Sequence, residues 1–457
     1  MNPTSHILLP EIADLIEARD FRALREALTG VPPADIADLI DDLPVEDGAL
    51  CFRLLPRDEA GDVFAELDPE KQEALIEQLG DIRSRQAIEA LDPDDRARVL
   101  DELPTEVAKR LIASLSPASR RETQAILGYP PESVGRLMTP DYVRVRPEWT
   151  VARAIEHIRQ FGKEAETLHW IFVIDDQHRL IDDIQIGQIL LADPEEPIRS
   201  LMDDTFLALH ATEDREEAVR MMARYDRSVL PVIDSRGVLL GIVTYDDVAD
   251  VAEEEATEDI QKQAGMEALA RPYMQTGIVE MLKKRGGWLC ILVVLQVATI
   301  FVLSSFQHKL ASMVILVTFI PLITSSGGNT ASQAAALLIR ALSLGEIERG
   351  DWIIIIKREL RTGLVLGLTL GALASSIVLG LNAVGIVQAD NAGRIGLTIG
   401  TSILLIVIWG IMIGSMFPII LHRLGFDPAT ISNPLVATLM DVSGLVIYLT
   451  IATLLVL

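Results

Sequence analysis

Asp441 interrupts the last apolar stretch of the chain: Met440 precedes it, and the string VSGLVIYLTIATLLVL (442–457) follows it. An isolated charge at that depth costs about 2.5–3.5 kcal/mol on insertion scales, so such a residue faces a polar cavity, a partner or an ion path. No basic residue shares its segment, the nearest upstream being Arg423, which leaves a cation from solution as the simplest partner. Asn433 lies eight residues earlier, a little over two helical turns, with Ala437 midway and Thr438 alongside. That face offers an amide oxygen, small residues and one carboxylate, and two copies around a symmetry axis would make a ring of oxygen acceptors. Mg2+ sheds water reluctantly and is held through its hydration shell by one or two carboxylates, so this set suits a hydrated divalent ion better than a bare monovalent one. An intramembrane aspartyl protease would need two carboxylates sharing a proton. Asp441 is the only acid within an apolar run, so no enzyme is expected.

A second polar set lies in IPLITSSGGNTASQ (320–333), which places Pro321, Gly327, Gly328, Asn329 and Gln333 at membrane depth. Proline and paired glycines are expected to loosen a helix and free its carbonyls. Irregular backbone is tolerated there only against protein or a water-filled cavity. Gly327, Gly328 and Asn329 therefore read as pore lining. Gly363, Gly367 and Gly371, spaced by four, read as close helix packing.

The elements that must position these residues are long apolar runs. Trp288–Phe306, Leu310–Ile339, Thr362–Ala389, Ile395–Leu421 and Ala429–Leu457 each reach or exceed the ~20 residues that cross a bilayer. With the N-terminus inside, Lys283, Lys284, Arg285, Arg340, Arg349, Lys357, Arg358, Arg361 and Arg423 flank the cytoplasmic ends, against Lys309 and Arg394 outside. The positive-inside rule then orients a multi-pass protein, N-terminus cytoplasmic and C-terminus outside; the inner (plasma) membrane is its expected location. The start, MNPTSHILLPEIADL, lacks the basic and apolar regions of a cleaved signal, so the internal segments drive insertion.

The charge lies elsewhere. The first 285 residues hold 32 basic and 59 acidic side chains, and the remaining residues hold eight and seven. An acidic soluble half argues against nucleic acid, which needs basic surface, and suits divalent cations. Cys51 and Cys290 fall in different halves with no metal or disulfide spacing.

Within that half, Val31, Leu43, Leu55, Leu67, Leu79, Leu91, Leu103, Leu115 and Leu127 repeat every 12 residues, most followed by Pro or by Asp/Ser-Pro. Each repeat reads as a helix of about two turns, opened by proline, and short helices must stack to bury their faces. Residues 136–200 and 200–250 then look like two copies of an α/β module, opening on Leu137-Met138 and, 64 residues later, Leu201-Met202. A long acidic helix is expected from Tyr245 through Tyr273, with eight of the 14 positions 246–259 acidic. Like charges at that spacing repel.

The modules resemble a pair of CBS domains. The whole chain is similar to the MgtE family of magnesium channels, on the strings IPLITSSGGNTASQ, LGFDPATISNPLVATLMDVSGLVIYL (424–449) and GIVTYDDVADVAEEEATEDI (241–260). The resemblance implies a multidomain fold: an α-helical superhelical repeat domain (1–130), tandem α/β CBS domains (131–250), a linker or "plug" helix (251–282) and a five-helix transmembrane pore domain (283–457). It implies a homodimer with the pore on its two-fold axis, Mg2+ as the ion, and Asp441, Asn433 and Ala437 shaping the pore site. Co2+, Mn2+ and Ni2+ are further candidate ions. Regulatory Mg2+ sites would use Asp214, Glu216, Asp226, Asp247, Asp250, Glu255, Glu258, Asp259 and Asp427, with Asp92, Asp94 and Asp95 as candidates on the repeat domain. The family's nucleotide-binding Ser-x-Arg-Asp stretch reads Gln185-Ile186-Gly187-Gln188 here, and Thr-x-x-Asp survives only as Thr244 and Asp247. That departure counts against a bound nucleotide. The expected function is a Mg2+ channel held shut by cytosolic Mg2+. A proton- or sodium-coupled transporter and a membrane-tethered CBS sensor are the alternatives.

Overall fold

The computed structural model describes residues 3–56, 59–163, 165–269, 273, 276–308, 314–343, 346–347, 350–386, 391–424, 427 and 432–456. Lys309 and Arg349, both used above for orientation, lie outside them, as do the expected span ends at Leu310, Ala389, Ala429 and Leu457. The chain forms two units, Met1–Ala252 and Glu253–Leu457.

Among its described residues the first unit opens with ten helices: α1 (Pro3–Glu17), α2 (Phe21–Leu28), α3 (Pro33–Asp42), α4 (Val45–Leu54), α5 (Glu59–Ala65), α6 (Pro69–Leu79), α7 (Asp81–Ala90), α8 (Pro93–Glu102), α9 (Thr105–Ser114) and α10 (Pro117–Leu127). Proline begins α3, α6, α8 and α10, where its missing N–H costs no hydrogen bond. The repeat helices are nearer three turns than two, most being ten or eleven residues long, because only a Leu-Pro corner separates one from the next. Leu43, Leu55, Leu91, Leu103 and Leu115 form extended C-caps whose side chains turn inward. Helices pack on their next-but-one neighbours, as α3 does on α5, α5 on α7 and α8 on α10, giving one continuous core from Ile12 to Leu115.

Two three-stranded sheets follow: β1 (Arg144–Val145), β2 (Trp170–Ile174) and β3 (Leu180–Gln185), then β4 (Leu209–His210), β5 (Val229–Ile233) and β6 (Leu239–Thr244). In each the first pair is parallel and the second antiparallel, with a register shift at the matching place, Val173/Ile174 and Val232/Ile233. Helices α11 (Val151–Phe161), α12 (Ile186–Leu191) and α13 (Glu216–Tyr225) complete the modules. The Leu-Met pairs cross over. Leu137 and Met138 pack in the core of the second sheet, and Leu201 and Met202 in that of the first. Thr139 bridges to Ile242 on β6, so neither module closes its core without the other's lead-in strand.

Helix α14 (Tyr245–Gln263) leaves β6 directly. It ends ten residues before Tyr273, where the sequence places its end; Gly265 at φ +80° supplies the left-handed conformation that stops helices.

Among its described residues the second unit holds five helices long and apolar enough to cross a membrane: Ile278–Ser305, Val314–Ser343, Trp352–Ala383, Ala392–Leu421 and Asn433–Leu455, hereafter the first to fifth spans. The second breaks at Phe319 between Val314–Thr318 and Ile320–Ser343, and the buried Tyr448 hydroxyl donates to the Leu316 carbonyl there at 2.8 Å. The helix then continues unbroken through Gly327 and Gly328, contrary to the expected loosening. Pro321 sits at its second residue, where it removes no intrahelical bond. The glycines serve close approach instead. A Cβ on Gly327 would lie 2.7 Å from Ile406, and one on Gly414 would lie 2.1 Å from the Ala331 carbonyl. Gly363, Gly367 and Gly371 play that part between the third and fourth spans, where a Cβ on Gly371 would meet the Gly400 carbonyl at 2.5 Å.

Candidate ion path and acidic clusters

The fifth span begins with Asn433 at its first position and Pro434 next; Ser432 caps it, accepting from Leu435 N at 3.3 Å. Ser432 also accepts from the Trp288 indole nitrogen at 2.7 Å. Eight residues on along the first span, Gln296 donates through Nε2 to Asp441 Oδ2 at 3.3 Å, nine residues on along the fifth. Both ties advance by about 12–14 Å at 1.5 Å per residue, so the first and fifth spans run parallel and in register.

Asp441, Ala437 and Asn433 are half-buried, one or two turns apart on the fifth span. A Cβ on Gly328 would lie 3.6 Å from that of Ala437, so the second span meets the fifth at this level. Asn329 is exposed on the next position, its amide donating to Ser325 Oγ at 3.4 Å. Asn433 Oδ1 is buried with no hydrogen-bond partner among the described residues, an oxygen acceptor on the face that carries Asp441. Gln296 is the residue sequence reasoning missed. Its signal was one amide in the otherwise apolar run from Trp288 to Ala298.

The regulatory candidates separate into groups. Asp214 and Glu216 stand at the start of α13, with Asp214 Oδ1 accepting from Glu216 N at 2.9 Å. Asp226 is the left-handed cap at the far end of the same helix, about 15 Å away at the helical rise, so it does not share their cluster. Glu255 is half-buried in the middle of α14.

At the start of α14, Asp247 Oδ2 accepts from Thr244 Oγ1 at 2.7 Å. Burial, with Asp246 and Asp95 nearby, raises the Asp247 carboxyl to about 6. Asp94, in the first turn of α8, is 7% exposed, and its Oδ1 is buried without a partner among the described residues. Burial, then the charges of Asp247 and Asp95, push its carboxyl well up. Glu166 rises to about 7 for the same reasons, with Asp92, Asp246 and Asp247 beside it. Arg98 bonds Asp95 at 2.6 Å and also feels Asp250, whose charge helps raise Glu66 after burial. Asp92, Asp94, Glu166, Asp246 and Asp247 thus crowd one place beside Asp95. A buried acceptor without a donor amid like charges fits a divalent cation, which would be held by Asp94, Asp247 and their neighbours. The sequence offered Asp92, Asp94 and Asp95 only as candidates and did not select Glu166 or Asp246; the fold brings α8 and the Glu166 loop to the start of α14, where Asp246 stands. Among the described residues no three carboxylate, imidazole or thiol groups converge at direct-ligation distance.

At the other end of α14 the acids have a cation of their own. Lys262 Nζ bonds Glu258 at 2.6 Å and Asp427 at 2.8 Å, and Ser343 Oγ donates to Asp259 at 3.2 Å. Burial opposes the Lys262 charge, but its hydrogen bonds to Asp427 and Glu258 outweigh that and raise its pKa. Burial, then Asp427, raises the Asp259 carboxyl.

Comparison with known proteins agrees with this layout. The family model for the MgtE divalent cation transporter matches residues 320–451, that for the MgtE intracellular N domain matches 31–132, and CBS domains match 134–190 and 198–254. The magnesium transporter MgtE of Thermus thermophilus is 38% identical over 462 aligned positions, covering 98% of this chain and 98% of its own. That of Bacillus subtilis is 32% identical, covering 99% and 98%. A crystal structure of the cytosolic domain of the Mg2+ channel MgtE in complex with ATP aligns at TM-score 0.52 and 36% identity, covering 53% of this chain and 100% of that one. Helical repeat domain, CBS pair and five apolar helices thus occur together in one chain, which belongs to the MgtE family of divalent cation transporters.

Proposed function

We propose that this protein is a passive Mg2+ path across the inner membrane, with Asp441 as its ion site and the α8–α14 acidic cluster as its sensor of internal Mg2+. The single observation that carries the reading is the lone carboxylate Asp441, held at membrane depth one and two turns from Ala437 and the unpartnered Asn433 oxygen. One carboxylate per chain, facing a partner copy's equivalent, suits a hydrated Mg2+ that keeps most of its water. The relatives named above as magnesium transporters and as a Mg2+ channel support the ion. The excess of basic residues on one side of the spans supports a cytoplasmic N-terminus and an external C-terminus.

Regulation follows from electrostatics. Bare, the carboxylates of α8, α14 and the Glu166 loop repel one another. Occupied by Mg2+, they approach, and the state in which they are close gains population by the ion's differential affinity for it. Asp214, Glu216, Asp226, Asp250 and Glu255 extend that acidic surface along α13 and α14. The relative's ATP has no counterpart in our reading, since the stretch at 185–188 lacks the Ser-x-Arg-Asp pattern.

The test is Mg2+ flux into liposomes carrying the purified chain, wild type beside Asp441→Ala, with no proton or sodium gradient. Flux that vanishes in the variant is expected. Flux only under an imposed gradient would replace the reading by a coupled transporter, and none under any gradient by a sensor without transport.

A further inference from the structure

We infer that Gln296 is a specificity-determining residue that excludes Ca2+ from the path by holding one oxygen of Asp441; this rests on the reading of Asp441 as the ion site. A carboxylate only accepts hydrogen bonds, so it is the amide nitrogen of Gln296 that faces Oδ2, at 3.3 Å. The first span is otherwise apolar around it, from Ile291 to Leu295 and again at Val297 and Ala298. An amide in such a run is costly unless it is paired or wet. Gln296 is both exposed on the single chain and bonded to the one acid of the fifth span. The parallel register set by Trp288 and Ser432 brings it to that depth, so the pairing is built into the packing of the two spans.

The consequence lies in ion coordination. Ca2+ takes carboxylates in one- or two-oxygen mode and gives up its water readily, whereas Mg2+ keeps several waters and is bound through them. With Oδ2 held sideways by Gln296, Asp441 presents only Oδ1. Two-oxygen capture of a dehydrated ion is then closed off, while a single oxygen still accepts a hydrogen bond from a water on hydrated Mg2+. The Gln296 Oε1, at the other end of the amide, is a further acceptor for such a water.

The experiment is Ca2+ block of Mg2+ uptake into liposomes carrying the full chain, comparing wild type with Gln296→Met, which keeps the length without the amide, and with Gln296→Leu and Gln296→Asn. The readout is the half-blocking Ca2+ concentration relative to the half-saturating Mg2+ concentration, a ratio that loosened packing alone would not move. Losing one hydrogen bond to the carboxylate should lower that ratio by about three- to tenfold in Gln296→Met and Gln296→Leu. Gln296→Asn, one methylene too short, should behave in the same way. An unchanged ratio in conducting variants overturns the inference. Loss of all flux in the three variants with an unaltered size-exclusion profile also overturns it, since Gln296 would then be needed for conduction itself. Asp441→Ala, run alongside, separates the two readings. If it conducts like wild type, the ion site is wrong; if it is silent while the Gln296 variants keep their Ca2+ ratio, only the selector is wrong.

Discussion

The two ends of α14 carry the same kind of residue in opposite electrostatic states. At its start, Asp246 and Asp247 join Asp92, Asp94 and Glu166, and burial pushes Asp247 and Glu166 up to about 6 and 7. Among the described residues the arginines near them, Arg98 bonded to Asp95 and Arg96 beside Asp92, are fewer than these carboxylates. At its end, Glu258 and Asp427 share the Lys262 ammonium, and Asp259 has a hydroxyl donor in Ser343. In sequence both ends are acidic and both read as Mg2+ sites. Only the first is short of positive charge, so it should bind an ion and the second should resist one. A carboxylate cluster senses a cation when the fold leaves its charge unmet.

The largest effect should come from removing the unmet charge. Asp94→Asn with Asp247→Asn should raise the melting midpoint of the full chain in Mg2+-free detergent. It should also abolish most of the stabilisation that wild type gains from Mg2+, about 2.7 kcal/mol at a hundredfold excess over Kd. Calorimetry with and without Mg2+ reads both, and a double variant that keeps the full Mg2+ response would erase the distinction between the two ends.

Lys262→Met should turn the compensated end into an uncompensated one. We expect about 1 kcal/mol of lost stability without Mg2+, recovered when Mg2+ is added. If Mg2+ restores nothing, the acids there are not a latent cation site.

Protons should imitate Mg2+ at the first end only. Asp247 and Glu166 titrate higher folded than unfolded, so the folded chain binds more protons below about pH 7. Stability therefore rises as pH falls from 8 toward 5 and declines as pH rises through the folded values. In Mg2+-free buffer the midpoint should climb by roughly 2–4 °C over that fall, and saturating Mg2+ should flatten the slope. A midpoint that falls with acid would contradict the assignment. The smallest change is Tyr448→Phe, which strips the Leu316 carbonyl of its donor at the break in the second span. It should cost about 1 kcal/mol, read as a lower midpoint with no change in Mg2+ response.

Much of this was legible in the sequence because it is periodic or costly. The 12-residue leucine register fixes helices whose C-caps point inward, and an acid inside an apolar run announces itself. What was not legible depends on packing across distance. Nothing near Asp94 shows that α8 meets the start of α14, and nothing near Lys262 shows that its ammonium reaches Asp427, 165 residues away. Gln296 was a single amide with no local partner, and only the parallel register of two spans gives it Asp441. Gly327 and Gly328 suggested a loosened helix where the fold uses them for close contact, because small residues serve both purposes and only the neighbouring spans decide between them.

The most direct test clamps Mg2+ inside liposomes that carry the full chain with its cytosolic half inward, and records uptake from a fixed external concentration. Wild-type flux should fall steeply as internal Mg2+ rises. Asp247→Asn should conduct through the same range, while neutralising Asp259 should shift the closing concentration far less. Equal inhibition of wild type and Asp247→Asn would contradict the claim that the uncompensated end of α14 is the sensor.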